Sequence, residues 1–187
     1  MTQTDLRQLT FRPGTLTDLP AIMAIIQGAQ GVMAAQGIPQ WQAGYPDQAV
    51  LTADLTQQAV WLAVTATGEI ALTMTLLPGP DPNYQKIAGD WLTTGTDYLV
   101  IHRIAVSQQV AHHGIAAASF TFARKLAQQR GLVSLRIDTH AKNQAMRHLI
   151  AKMGYQACGQ VWMADGAPRL AYELVLPAAN PALDQGA

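Results

Sequence analysis

The sequence predicts an α/β domain in which helices flank a mixed sheet. Three observations predict it: apolar, β-branched runs recur between residues 59 and 106, strand-like and helix-like segments alternate from 98 to 176, and glycines and prolines separate them. A chain of 187 residues suits one domain, drawn here over 1–176, with 177–187 as a loose tail of small residues and prolines.

Each element has its own signal. Residues 9–12 read as a first strand, and Thr17-Asp18-Leu19-Pro20 as a helix start with a capping residue and a proline in the first turn. Ile22, Ile25 and Ile26 give that helix an apolar stripe; Gly28 and Gly31 are expected to break it, and a second short helix is expected over 32–36. Residues 39–46 form a loop carrying Trp41 and Tyr45. Residues 59–65 and 69–76 are strands joined at Thr67-Gly68, and 78–90 (PGPDPNYQKIAGD) is a turn-rich insertion. The run YLVIHRIAV at 98–106 is mostly apolar and branched, as a central strand should be. A helix follows over 115–130, stopped by Gly131, then a strand over 132–137. Met146, Leu149, Ile150 and Met153 are spaced as one face of a helix over 143–153, closed by Gly154, and 155–163 and 169–176 read as a final strand pair.

Twelve basic residues balance twelve acidic ones, which excludes a global field for holding nucleic acid or an anionic membrane and favours a small or weakly charged partner. No apolar run approaches the ~20 residues of a membrane span, and the first residues are too polar for a signal peptide. One cysteine, Cys158, leaves no internal disulfide; with the polar start it gives the expectation of a soluble, cytoplasmic protein. A homodimer is left open.

The segment most informative about chemistry runs from Ile104 to Ala117. A central strand enters a short turn, and a helix opens on Gly114 with small residues at 116–118. The first amides of a helix lack intrahelical partners and carry the positive end of its dipole, so they can bind an anion. No Asp or Glu lies between Asp97 and Asp138 to compete with a phosphate. Close packing of a helix start against a sheet would select the same small residues, and the segment alone does not separate the two readings.

The turn, Ala111-His112-His113-Gly114-Ile115-Ala116, resembles the acetyl-CoA loop Q/R-x-x-G-x-G/A of the GNAT acetyltransferases. Downstream, Asn143, Met146, Leu149, Ile150, Lys152, Gly154 and Tyr155 resemble the family's second signature, N-x-x-A-x-x-L-Y-x-K-x-G-F, at a distance filled by a helix and a strand. The resemblance covers about residues 9–176. It implies a GNAT-type, mostly antiparallel sheet with central strands splayed at a cofactor cleft, and acetyl-CoA as cofactor. Backbone groups of Ile104, Ala105 and Val106 would pair with the pantetheine arm, and amides of His112, His113, Gly114, Ile115, Ala116 and Ala117 would hold the pyrophosphate. Asn143 would sit near the pantetheine or thiol end. Two positions depart from the pattern: Ala111 replaces a polar residue at the phosphates, and Ile150 stands where many members carry the tyrosine that returns a proton to the leaving thiolate.

Acetyl transfer to an amine needs a base for its proton and donors for an oxyanion. The central strand has no carboxylate; His102 is its one histidine, a side chain suited to proton transfer near neutrality, and by alternation it shares a face with Val100 and Ile104. Some family members carry histidine at the matching place. His140, beyond the next strand, is the reserve, with Asp138 orienting it or capping the turn; His148 reads as surface. Trp41, Tyr45, Tyr84 and Trp91 lie in irregular segments from which the family builds its acceptor cleft, and their rings would suit an apolar or cationic amine or else pin the loops. No metal-ligand spacing is present. The expected activity is therefore acetyl transfer from acetyl-CoA to a small-molecule primary amine in a ternary complex. The alternatives are a non-catalytic acyl-CoA-binding or sensing module, and an acetyltransferase of protein N-termini or lysines.

Overall fold

A computed structural model describes residues 9–110 and 114–177. In chain order the elements are β1 (Thr10–Pro13), α1 (Leu19–Ala35), α2 (Gln48–Thr56), β2 (Val60–Val64), β3 (Ile70–Pro78), β4 (Ile87–Gly89), β5 (Tyr98–Val106), α3 (Ile115–Gln129), β6 (Ser134–Thr139), α4 (Gln144–Lys152), β7 (Gln156–Trp162) and β8 (Pro168–Val175). The strands form one sheet in the order β1-β2-β3-β5-β6-β8-β7-β4, antiparallel throughout except for the parallel pair β5–β6. The expected tail lies outside the described residues apart from Pro177, as do His112 and His113 of the predicted phosphate turn. Among the described residues no helix is long and apolar enough to cross a membrane.

Alternation along the strands gives the sheet two apolar faces. On one, Leu72, Leu99, Ile101, Leu135 and Ile137 pack with Phe120 of α3 and Ile150 of α4. On the other, Leu62 and Ala105 meet Ile22 and Ile26 of α1 and Leu51 and Leu55 of α2. A smaller cluster, Tyr84, Tyr98, Val100, Val161 and Ala171, lies under the 78–91 insertion.

Two helices differ from expectation. The stretch 19–35 is one continuous α1, and Gly28 and Gly31 do not break it. A glycine costs a helix interior about 1 kcal/mol, less than the stripe of Ile22, Ile25 and Ile26 recovers by burial. Gly28 also has a packing reason, because a Cβ there would meet Gln108 Cγ at 3.3 Å. The stop is Gly37, whose φ of +63° suits glycine. Helix α2 has no counterpart in the sequence reading. Asp47 caps it by accepting from the Val50 amide at 2.8 Å, but Asp54 interrupts its apolar face and is itself buried.

Candidate active site

The pairing of β5 with β6 is short. Tyr98, Leu99 and Val100 pair with Ser134, Leu135 and Arg136, and then the strands part, although β5 continues to Val106 and β6 to Thr139. The opening leads into a cleft of about 1200 Å³ lined by Ile104, Ala105 and Val106 on one side and Asp138, Thr139 and Asn143 on the other. Past Val100 the edge of β5 that faces β6 has no ladder bonds to it, so its amides and carbonyls are available to a ligand.

A β-bulge accompanies the opening. Thr75 pairs with His102 and Thr73 with Ala105, so three residues of β5 span two of β3, and Arg103 takes φ +49°. An L-residue in that region costs about 1–2 kcal/mol. The opposing interactions are specific: Arg103 donates Nε to Asp54 Oδ2 at 2.6 Å, an Nη2 hydrogen to Asp54 Oδ1 at 2.7 Å, and an Nη1 hydrogen to the Tyr45 hydroxyl at 2.6 Å. Thr75 Oγ1 donates to Asp54 Oδ2 at 3.0 Å. The bulge corrects the expectation that His102 shares a face with Ile104. Ile104 packs with Leu99 and Ile101 on the α3 side, whereas His102 and Arg103 both lie on the face of Thr75.

Helix α3 opens on the same cleft. Gly114 is its N-cap with φ +78°, and an added Cβ would meet nothing within 4 Å. No side chain among the described residues caps the helix, and its first turn holds no acid. The first ladder bond is the Ala118 amide to the Gly114 carbonyl at 3.1 Å, so the amides of Ile115, Ala116 and Ala117 precede it. Gly114, Ile115, Ala116 and Ala117 all line the cleft. An open, uncapped and acid-free helix start fits an anionic pyrophosphate. Asn143 lines the cleft too, with its Oδ1 accepting from the Met146 amide at 3.1 Å as the cap of α4.

At the mouth of the split stand ionisable groups that the sequence reading did not bring together. His102 Nε2 is 2.6 Å from Asp81 Oδ2. Asp81 sits in the 78–90 insertion, with its Oδ1 accepting from the Asn83 amide at 2.8 Å and its own amide donating to the Tyr98 hydroxyl at 2.9 Å. Burial opposes the charged form of Asp81, but the hydrogen bond and charge of His102 and the Asn83 amide outweigh it and hold the carboxyl below its usual range. With Nε2 engaged, His102 Nδ1 has no partner among the described residues, and the residue lines the cleft. One row over on β6 lies Asp138, whose Oδ1 accepts from the Tyr84 hydroxyl at 2.7 Å. Burial raises the Asp138 carboxyl above its usual range, only partly opposed by His102, the Tyr84 hydrogen bond and Arg169. Burial, with the charges of Arg169 and Lys142, lowers the His140 imidazole.

The aromatic expectations divide. Trp41 and Tyr45 line the cleft. Tyr84 and Trp91 do not. Tyr84 is buried behind Asp138, with its hydroxyl pushed well up by burial and the Asp138 charge. Trp91 donates Nε1 to the Tyr84 carbonyl at 3.1 Å and lies against the Arg136 guanidinium, 4.2 Å from its ring centroid. Both rings pin the insertion to the sheet, which their hydrophobic area favours over exposure at a cleft wall. Ile150 is fully buried in the α3-side core and is not among the residues lining the cleft. Cleft residues of α4 include Met146, His148, Leu149 and Lys152.

A sheet split between parallel neighbours, with an anion-receptive helix start on one side and a histidine–carboxylate pair at the mouth, defines an acyl-transferase type of site. The sequence profile of the acetyltransferase (GNAT) family matches residues 33–155, and the chain belongs to that family. A GNAT-family acetyltransferase from Streptococcus agalactiae is similar at 32% identity with a TM-score of 0.80, over 90% of this chain and 96% of that one. A GNAT-family acetyltransferase from Listeria monocytogenes shares the fold at 20% identity, TM-score 0.72, over 90% and 95% of the two chains. A phosphinothricin acetyltransferase from Sinorhizobium meliloti, in complex with AcCoA, shares it at 12% identity, TM-score 0.66, over 90% and 88%. No curated protein sequence matches the chain.

Proposed function

We propose that the chain, as one acetyltransferase domain over 1–176, moves the acetyl group of acetyl-CoA to a primary amine of a small molecule by direct attack in a ternary complex. The observation that carries the proposal is the opening between β5 and β6, with uncapped α3 amides at one end and His102 at the other. Amides of Ile115, Ala116 and Ala117, with the 112–114 turn, would hold the pyrophosphate, and the unpaired edge of β5 at 104–106 the pantetheine arm. When bound, acetyl-CoA supplies an acetyl carbonyl activated as a thioester. Asp81 holds His102 through Nε2, so Nδ1 takes the proton of the incoming amine, directly or through a water. Freed β5 amides are donors for a carbonyl oxygen held beside the strand. A cytoplasmic location belongs to this proposal, supported by the single, free Cys158.

The test is thiol release from acetyl-CoA across amines, amino acids and peptides, with wild type and His102→Gln. The expected result is release with one class of small amines and a fall in kcat/KM of about 10²–10³ in the variant, at unchanged CoA affinity. CoA binding without release from any acceptor would leave a non-catalytic binding module. Preference for peptides would move the acceptor to protein.

A further inference from the structure

Three largely enclosed arginines, two of them buried, lie on the α1 side of the sheet or against its insertion, and Arg103 and Arg136 are closed by carboxylates. Arg103 makes two contacts under 2.8 Å to Asp54, and Arg136 donates Nε to Glu173 at 2.9 Å while lying between two aromatic rings. Arg169 is different. It is 8% exposed, yet its nearest carboxylate contact is Nε to Asp138 Oδ2 at 3.9 Å, and its one hydrogen bond among the described residues is to the Pro168 carbonyl at 3.0 Å. A guanidinium has five N–H donors, so most of those of Arg169 are left to the cleft that the residue lines. Asp138 gives it only this long contact, through Oδ2, since Oδ1 accepts from the Tyr84 hydroxyl.

The register places this arginine in the cleft. Val100, Arg136 and Glu173 form one cross-strand row, and the next row contains Asp138 and Ala171, with His102 leading it across the split. Arg169 lies two residues along β8 from Ala171 and lines the same cleft as His102, Asp138 and His140. β6 separates β5 from β8, and both side chains line the cleft that opens where β5 leaves β6. The cationic character of this corner is felt by His140, whose imidazole is depressed by burial and then by Arg169 and Lys142. Asp165 also lines the cleft, but its Oδ1 is engaged by the Ala167 amide in its own turn.

We infer that the acceptor is an amino acid, a primary amine and a carboxylate on one short skeleton, with Arg169 binding the carboxylate while His102 faces the amine. This deepens the acetyltransferase reading and rests on it. Arg169 is a specificity-determining residue here and takes no proton.

The test compares, on the intact protein, kcat/KM for amino acids and for their carboxamides and methyl esters at equal amine protonation, in wild type, Arg169→Gln and Arg169→Lys. Wild type should favour the free carboxylate by about 30-fold or more. Arg169→Gln should lose that preference while retaining activity on the carboxamide, and Arg169→Lys should restore part of it. Release from amines with no preference for the carboxylate overturns this inference and leaves the acetyltransferase reading standing. Release from no amine at all overturns both. Weakened CoA binding in Arg169→Gln, at wild-type melting temperature, would assign the guanidinium to the cofactor and also overturn it. If Arg169→Gln does not fold, the wild-type carboxylate-to-carboxamide ratio decides alone.

Discussion

Asp81→Asn removes one charge at the site and almost no volume. In the native arrangement Oδ1 accepts from the Asn83 amide at 2.8 Å and Oδ2 lies 2.6 Å from His102 Nε2. An asparagine that keeps the first bond must turn its NH2 toward Nε2, which makes Nε2 an acceptor and moves the imidazole proton to Nδ1. An asparagine that keeps an oxygen on Nε2 loses the loop bond instead. The first arrangement protonates the cleft-facing Nδ1 that the proposal uses as base, and the second frees the loop that holds the pair. In the proposed reaction the carboxylate also stabilises the imidazolium formed as the proton is taken. For charge centres about 4 Å apart at the effective dielectric of about 20 suited to a partly buried pair, that attraction is about 4 kcal/mol, of which an amide dipole keeps a part. The expected outcome is a fall in kcat/KM of about 10²–10³. Thiol release at saturating acetyl-CoA and varied amine measures it, with CoA affinity and melting temperature as controls. A folded Asp81→Asn protein with wild-type kcat/KM would refute the pairing as part of the chemistry.

Other perturbations separate the cofactor site, the core and the buried ion pair. Gly114→Glu puts a charged side chain on a left-handed residue at the open end of α3; CoA affinity measured by calorimetry should fall by about 1–3 kcal/mol, and unchanged binding would move the pyrophosphate elsewhere. Ile150→Tyr should destabilise by about 1–3 kcal/mol through overpacking, with no gain in thiol release, because the residue lies in the core; faster turnover would place it at the leaving sulfur after all. Glu173→Gln leaves the Arg136 charge buried without its partner and should cost about 3–5 kcal/mol in denaturant unfolding. Burial opposes the Glu173 charge, but hydrogen bonds from Ser134, Thr93 and Arg136 hold its carboxyl below the usual 4.5, so its contribution is present above that pH and is lost as pH falls through the lower folded value. Wild type should therefore lose stability on acidification more steeply than the variant.

The fold was legible where one interaction dominates a segment. An apolar, branched nine-residue run can hardly be anything but a central strand, and the helix face at 144–152 follows from the spacing of Met146, Leu149 and Ile150. The helix start at Gly114, with no acid in its first turn, was legible as well, because small residues and missing acids are properties of composition. The site failed to appear where its parts come from separate elements. Asp81 hides in PGPDPNY, where an aspartate between prolines reads as turn chemistry, and that role is also real, since it caps the 3-10 turn at 82–84. A signal for Asp138 was present: Ser134, Arg136 and Asp138 alternate with Leu135 and Ile137, a polar file on an inner strand that demands partners on its own face. Tyr84 and Trp91 take the second of the two roles left open for them, because aromatic content in a loop does not say whether a ring lines a cavity or anchors the chain.

Arg103 is where sequence pattern and function meet. A regular strand sends consecutive side chains to opposite faces, which would drive Arg103 into the apolar layer of Leu99, Ile101 and Phe120, where the buried residues offer no carboxylate. The bulge delivers His102 and Arg103 to the same face, one to Asp81 and the other to Asp54. The cost of a left-handed arginine is thus coupled to two gains: a buried guanidinium acquires a bidentate partner, and the histidine is held at the point where β5 leaves β6. The Tyr45 hydroxyl on Arg103 extends the same linkage to the loop that covers the cleft, while Gln40 of that loop accepts from the His140 amide at 3.1 Å on the far side. The loop is therefore tied to both lips of the split, β5 through Arg103 and the end of β6 through His140. The separation of the two strands is thus held in part by that loop.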